Sequence, residues 1–235
     1  MLEHGFAGLD KNARPNRRFA LDDRSQCNRA LTRRSRASPH SVAHSQARCY
    51  AAAMEPSKQT LHYRGRIISV TTDEVRLPNG HEATLEVVHH PGGAVAVAID
   101  TARRVCLLRQ YRYVAGGWLW ELPAGKLEPG EPPLLTAQRE LTEEAGVRAA
   151  QWRSLGTYLS SPGVFSEVLH LFLATELDTA AAAPEQAEVI EVHWIEFEEA
   201  CQWAERGEIR DGKTAIGLLR ARYVLSPGAP GEAPR

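Results

Sequence analysis

Gly125-Lys-Leu-Glu-Pro-Gly-Glu131-Pro-Pro-Leu-Leu-Thr-Ala-Gln-Arg139-Glu140-Leu-Thr-Glu143-Glu144-Ala-Gly146-Val147 decides how the rest of this 235-residue chain is read. A loop rich in Gly and Pro over residues 123–130 leads into a helix that runs to about Ala145. Pro132 and Pro133 fit its first turn, where a missing N–H costs little, and Gly146 stops it. Glu140, Glu143 and Glu144 fall at i, i+3 and i+4, so three carboxylates share one helical face. Like charges at that spacing destabilise a helix by roughly 0.2–0.5 kcal/mol per pair. They also crowd toward the C-terminal half, where the macrodipole disfavours anions. The conflict invites a cation. Hard oxygen ligands suit Mg²⁺ or Mn²⁺ rather than zinc, and Mg²⁺ takes one or two carboxylates with phosphate oxygens and waters. The opposite face, Leu134, Leu141 and Ala145, is apolar and suited to packing on a sheet. Taken alone, such an acidic face is also what a solvated surface looks like, with Arg139 and Lys126 as casual partners.

The complete pattern weighs against that bland reading. The stretch is similar, position for position, to the Nudix box of the Nudix hydrolases: Gly, five residues, Glu, seven residues, then Arg-Glu-aliphatic-any-Glu-Glu-any-Gly-aliphatic. Every defined position is filled. The resemblance implies an α/β (α+β) Nudix fold, an α/β/α sandwich with a mixed sheet, preceded by an N-terminal subdomain of antiparallel strands. It implies cleavage of a nucleoside diphosphate linked to another moiety. It makes Glu140, Glu143 and Glu144 the carboxylates for Mg²⁺ or Mn²⁺ and gives Ala124 a backbone carbonyl at one metal. Gly125 then allows the tight loop, Glu131 and Arg139 pair to hold that loop against the helix, and Gly146 closes the box.

Outside the box, Pro162 lies fifteen residues beyond Val147 in Ser161-Pro-Gly163. A proline near that spacing marks the family's ADP-ribose pyrophosphatases. Segments around Leu85-Glu86, Gln110-Tyr-Arg112, Trp120-Glu-Leu-Pro-Ala124 and Ser166-Glu167 resemble bacterial members, and the likeness runs from about Tyr63 to Leu225. It implies a homodimer whose N-terminal strands swap between subunits and help to build an adenine pocket. Arg66 and Ile67 would flank the ring, Glu86 would accept from the amino group, and Arg112 would reach a phosphate or ribose. Either of two lid-loop glutamates, Glu188 or Glu185, or else Glu167 on the Ser-Pro-Gly loop, would be the general base. Glu188 has a metal-binding alternative. The implied reaction is metal-dependent hydrolysis of ADP-ribose to AMP and ribose 5-phosphate. A pyrophosphatase for another nucleotide sugar or dinucleotide is the near alternative, and a non-catalytic ADP-ribose sensor the distant one. Intact glutamates and the lack of a helix-turn-helix pattern weigh against the sensor.

Working outward, residues 61–70 and 83–90 read as strands around a Pro78-Asn-Gly turn. Residues 93–100 and 105–112 read as two more. Strands follow near 152–159, 167–174 and 189–195, and helices near 197–206 and 213–224. Residues 54–92 are thus the strand subdomain, 93–225 the catalytic domain and 226–235 a disordered tail.

Residues 1–53 stand apart, with ten basic side chains against four acidic in a chain whose net charge is −1. They have few large apolar residues and no sustained periodicity, so the segment reads as a disordered basic extension. The second methionine, Met54, marks a candidate native start. A nucleic-acid arm and an organelle transit peptide fit less well, the latter because of the four acids. Nucleic acid is therefore not an expected partner. No apolar run reaches the roughly 18 residues of a membrane span, and a cytoplasmic enzyme is expected. The cysteines, Cys27, Cys49, Cys106 and Cys201, have neither zinc spacing nor a disulfide framework.

Overall fold

A computed structural model describes residues 55–183 and 189–227. The basic extension at 1–53, Glu185 and Glu188, and most of the tail lie outside them. The strands are β1 (Lys58–Arg64), β2 (Ser69–Arg76), β3 (Glu82–His89), β4 (Gly93–Ala98), β5 (Arg104–Arg112), β6 (Gly117–Glu121) and β7 (Ala124–Lys126). Helix α1 (Pro133–Ala145) follows, then β8 (Val147–Leu159), β9 (Val168–Thr179), β10 (Ile190–Glu196), α2 (Phe197–Glu205) and α3 (Gly212–Leu225).

β1, β2 and β3 form an antiparallel meander. The single strand expected over 61–70 is two strands. The chain turns at Gly65–Ile68, where the Gly65 N–H donates to the Ile68 carbonyl at 2.9 Å. The apolar pair Ile67-Ile68 hid that turn, because a β-branched cluster carries strand propensity wherever it falls.

The remaining strands make two sheets. One has the order β7-β4-β9-β8 with β4 and β9 parallel, and the other is antiparallel β10-β5-β6. β6 and β7 were not anticipated, the second because it is only three residues long in a stretch whose Gly and Pro content reads as loop.

β4, Gly-Ala-Val-Ala-Val-Ala, shows why helices lie on both faces. All six residues are buried, and a run without polar alternation belongs to a strand covered on each side. Val95 and Val97 point into a layer with Phe197, Ala200 and Cys201 of α2 and Leu218 and Ala221 of α3. Ala96 and Ala98 point the other way, toward Cys106, Ala174, Val147 and Leu141 of α1. α1 therefore presents the apolar side of its acidic stripe to a sheet face paved with alanines. Gly146 ends it at φ 66°, the left-handed region that glycine enters without strain.

α3 is fastened at its start. Asp211 accepts from the Thr214 N–H at 3.1 Å and hydroxyl at 2.6 Å, an N-cap. The same Thr214 oxygen accepts the Leu122 N–H at 2.7 Å. That bond ties the helix to the segment leading into β7. No helix among the described residues is long and apolar enough to cross a membrane.

Candidate active site

The acidic face of α1 meets the chain at β7. The Ala124 N–H donates to Glu144 Oε2 at 2.8 Å, and Glu144 is 4% exposed. Glu140 lies over Gly125 so closely that a Cβ there would stand 1.8 Å from its Oε1. Gly125 sits within β7, and the space it leaves is filled by a carboxylate. Arg139 pairs with two of the three carboxylates, its Nη1 donating to Glu140 Oε1 at 2.7 Å and to Glu143 Oε2 at 3.1 Å.

Arg139 also grips Glu131. Its Nε and Nη2 donate to the two carboxylate oxygens, each at 3.2 Å, and the Thr136 hydroxyl adds a bond at 2.8 Å. The Arg139 bonds hold the Glu131 carboxyl below the usual carboxylate range, against a smaller opposing effect of burial. A carboxyl lowered on folding adds stability above its unfolded pKa, near 4.3, and that stability fades as pH falls through the folded value. The melting temperature of the wild type should exceed that of Glu131→Gln by a steady margin from about pH 8 to about pH 5.5. The margin should then shrink below about pH 4.5. A margin unchanged down to pH 3 would remove the pair from the stability of the loop.

Among the described residues, no three His, Cys, Asp or Glu side chains gather as a ready-made metal cage. The donors that do converge are Glu140 and Glu144, at Ala124-Gly125 of β7. Two carboxylates suit a hard cation that completes its shell with phosphate oxygens and water. Behind them, burial pushes the Cys106 thiol up to about 12, with the Glu144 charge adding to the rise. Burial likewise takes Cys201 to about 12. Neither thiol is a nucleophile at neutral pH.

Ala124-Gly125-Lys126 form part of the wall of a cleft of about 630 Å³. Arg66 and Ile67 enter it from the β1–β2 turn, Arg112 from the end of β5, Glu167 from just before β9, and Asp211-Gly-Lys213 from the cap and first turn of α3. Of the residues expected at the site, the cleft collects Arg66, Ile67, Arg112, Ala124, Gly125 and Glu167. Glu86 is exposed on β3 opposite Thr72 and does not line it. Pro162 is exposed in a turn in which the Val164 and Phe165 N–H groups donate to the Ser161 carbonyl. That loop is stitched to β3 by Val88 N–H to Val164 O and Ser166 N–H to Val88 O. Pro162 itself does not line the cleft.

The pair His89-His90 divides. His89 Nε2 lies 2.8 Å from the Thr71 hydroxyl. His90 stands in the cleft wall, with Nδ1 accepting the Gly92 N–H at 3.1 Å and lying 3.3 Å from Glu167 Oε1. Tyr158, Asp211 and Lys213 also line the cleft. Sequence reasoning missed all three. Lys213 carried a signal only as the start of a helix, and Tyr158 only as one residue of a strand.

Arg112 is held rather than loose. Its Nε and Nη2 donate to the two oxygens of Glu121 at 2.8 and 2.9 Å. Burial pushes the Glu121 carboxyl up, but bonds from Arg112 and the charge of Lys213 outweigh it and keep it below its ordinary value.

A family model described as the NUDIX domain matches residues 89–215. An ADP-ribose pyrophosphatase of Mycobacterium tuberculosis is 40% identical over 174 residues, 72% of this chain and 83% of that protein. A methanol dehydrogenase activator of Bacillus methanolicus is 36% identical over 158 residues, covering 66% of this chain and 85% of its own length. A solved structure described as an ADP compounds hydrolase superposes with a TM-score of 0.63 over 72% of this chain and 92% of that one. Its identity is 19%, so that likeness speaks to the fold alone.

Proposed function

The chain belongs to the Nudix family, and from that membership and the cleft we propose that it hydrolyses ADP-ribose to AMP and ribose 5-phosphate with Mg²⁺ or Mn²⁺. The observation that carries the reading is the meeting of Glu140 and Glu144 with Ala124-Gly125 at the wall of a cleft that also gathers four cationic side chains, Arg66, Arg112, Lys126 and Lys213. A diphosphate needs such a surround.

In this reading Glu140 and Glu144, with the Ala124 carbonyl and with Glu143 in support, would hold the cation. A bound divalent ion supplies neutralisation of the diphosphate and a more acidic water. Arg112 orients a phosphate or ribose through the N–H groups that Glu121 does not use. Arg66 and Ile67 flank the adenine. A glutamate takes the proton of the attacking water, and the candidates remain Glu188, Glu185 and Glu167. Of these, Glu167 lines the cleft beside His90. Positioning and charge neutralisation dominate the rate gain, as in other phosphoryl transfers.

The same reading makes the working unit a homodimer. The β1–β3 sheet exposes Leu61, Tyr63, Ile67 and Leu85, and Glu86 would meet the adenine across such an interface. The substrate is tested by following hydrolysis of a nucleotide-sugar and dinucleotide panel with Mg²⁺ on the full chain. Preferred release of AMP and ribose 5-phosphate from ADP-ribose is expected. Faster turnover of another member would move the substrate, and tight ADP-ribose binding without turnover would leave a sensor.

A further inference from the structure

The charged group around Glu121 goes beyond what the reaction has so far been asked to use. Glu121 ends β6 and is 2% exposed, yet two cations meet it. Arg112 holds both of its oxygens in a parallel fork. Lys213 Nζ donates to Glu121 Oε2 and, at 3.0 Å, to Asp211 Oδ2. Asp211 is itself fixed as the cap of α3.

Counting donors shows what is left over. A guanidinium has five N–H groups and an ammonium three. Arg112 commits two to Glu121, so three point elsewhere. Lys213 commits one to Glu121 and one to Asp211, so one points elsewhere. Both residues line the cleft with Gly125 and Lys126. The Arg112 side chain is 43% exposed although its partner is buried, so the guanidinium opens outward from its clamp.

Burying such a network is a poor way to stabilise a fold, since well-packed apolar side chains do as well or better. Its evident consequence is geometric: two cations that would repel each other are locked side by side at the wall of a cleft. An oxyanion with several acceptor oxygens matches them. Arg66 and Ile67 enter from the N-terminal sheet and Lys213 from α3, so different elements hold the two halves of a bipartite ligand.

We propose that Lys213 is a substrate-binding residue that joins Arg112 in gripping the phosphate on the sugar side of the substrate, with Glu121 as the positioning residue that holds both cations in place. The inference rests on the substrate reading above, through the identity of that phosphate.

The test uses the full chain as wild type, Lys213→Met, Lys213→Arg and Glu121→Gln. Steady-state hydrolysis of ADP-ribose, product inhibition by ribose 5-phosphate and by AMP, and melting temperature are measured for each. Lys213→Met should raise KM for ADP-ribose and the inhibition constant of ribose 5-phosphate about 10- to 100-fold. AMP inhibition should stay within about twofold and kcat within about threefold, as loss of uniform binding requires. Lys213→Arg should recover most of the loss. Glu121→Gln should raise KM in the same sense, by releasing Arg112 and Lys213 together. Unchanged KM and inhibition constants with a lowered melting temperature would make Lys213 structural and overturn the proposal. So would weakened inhibition by AMP alone. A wild type inert toward ADP-ribose would sink the substrate reading instead. In that case calorimetric titration with ribose 5-phosphate decides: binding lost in Lys213→Met upholds the phosphate grip, and binding retained overturns it.

Discussion

Glu144→Gln is expected to lower kcat for the preferred nucleotide sugar by on the order of a thousandfold while leaving the protein folded. The two parts of that expectation have separate causes. Glu144 is buried and faces β7, part of the cleft wall, so its charge acts in a medium of low dielectric, where opposite charges attract more strongly than in water. On the proposed assignment, removing the charge would remove an attraction for the divalent ion and leave the diphosphate less neutralised as negative charge shifts during cleavage. The fold depends on something different, the bond from the Ala124 N–H. A glutamine carbonyl can still accept it. The loss is the difference between a charge-assisted and a neutral hydrogen bond, about 1 kcal/mol, which moves the melting temperature by about 2–4 °C in a domain of this size. Purified variant and wild type should therefore melt within a few degrees of each other and differ in turnover by orders of magnitude. Retention of a third of the activity would remove Glu144 from the metal site. Rising Mg²⁺ should restore the variant only in part, because in the proposed site Glu144 would also fix where the cation sits.

How much of this was legible beforehand follows from the length scale of each signal. The 23 residues of the box carry their meaning locally: two prolines, a helical repeat, a glycine stop and three carboxylates are all fixed by sequence spacing. α1 accordingly begins and ends at the positions its own residues dictate, at Pro133 and before Gly146. β4 was legible as well, since an unbroken Gly-Ala-Val run has few alternatives. Signals that depend on distant partners were not. Glu121 is a carboxylate at the end of a strand, and nothing near it announces that Arg112 and Lys213, nine residues before and 92 after, close around it. Glu143 shares a helical face with Glu140 and Glu144, and spacing alone cannot show that Glu140 and Glu144 are the ones that reach Ala124-Gly125. The break between β1 and β2 was lost because Ile67 and Ile68 look like strand, whereas in place Ile67 turns toward the cleft.

Gly125→Ala separates stability from activity by another route. Glycine in a loop is ordinarily explained by backbone freedom, but Gly125 lies in β7 and is not among the residues with positive φ. An alanine can adopt that backbone. What it cannot do is share space with Glu140: the added methyl would fall 1.8 Å from Oε1, 2.0 Å from Cδ and 2.7 Å from Cγ. Those atoms belong to the outer part of a flexible side chain, so the clash is relieved by rotating Glu140 rather than by moving the sheet. Rotation gives up the Arg139 bond to Glu140 Oε1, one partly exposed ion pair, and leaves the apolar side of α1 untouched, with Leu141 and Ala137 still buried. The stability change should accordingly stay within about 1 kcal/mol, or about 2–4 °C. The displaced carboxylate can no longer stand where Glu144 and β7 also converge, and a misplacement of about 1 Å is enough to cost on the order of a hundredfold in rate. We therefore expect kcat to fall about a hundredfold or more, with a nearly unchanged thermal midpoint. Full activity in Gly125→Ala would show that Glu140 works from a different rotamer. A collapse of the melting temperature would show that the backbone of β7, and not the side chain of Glu140, is what the glycine protects.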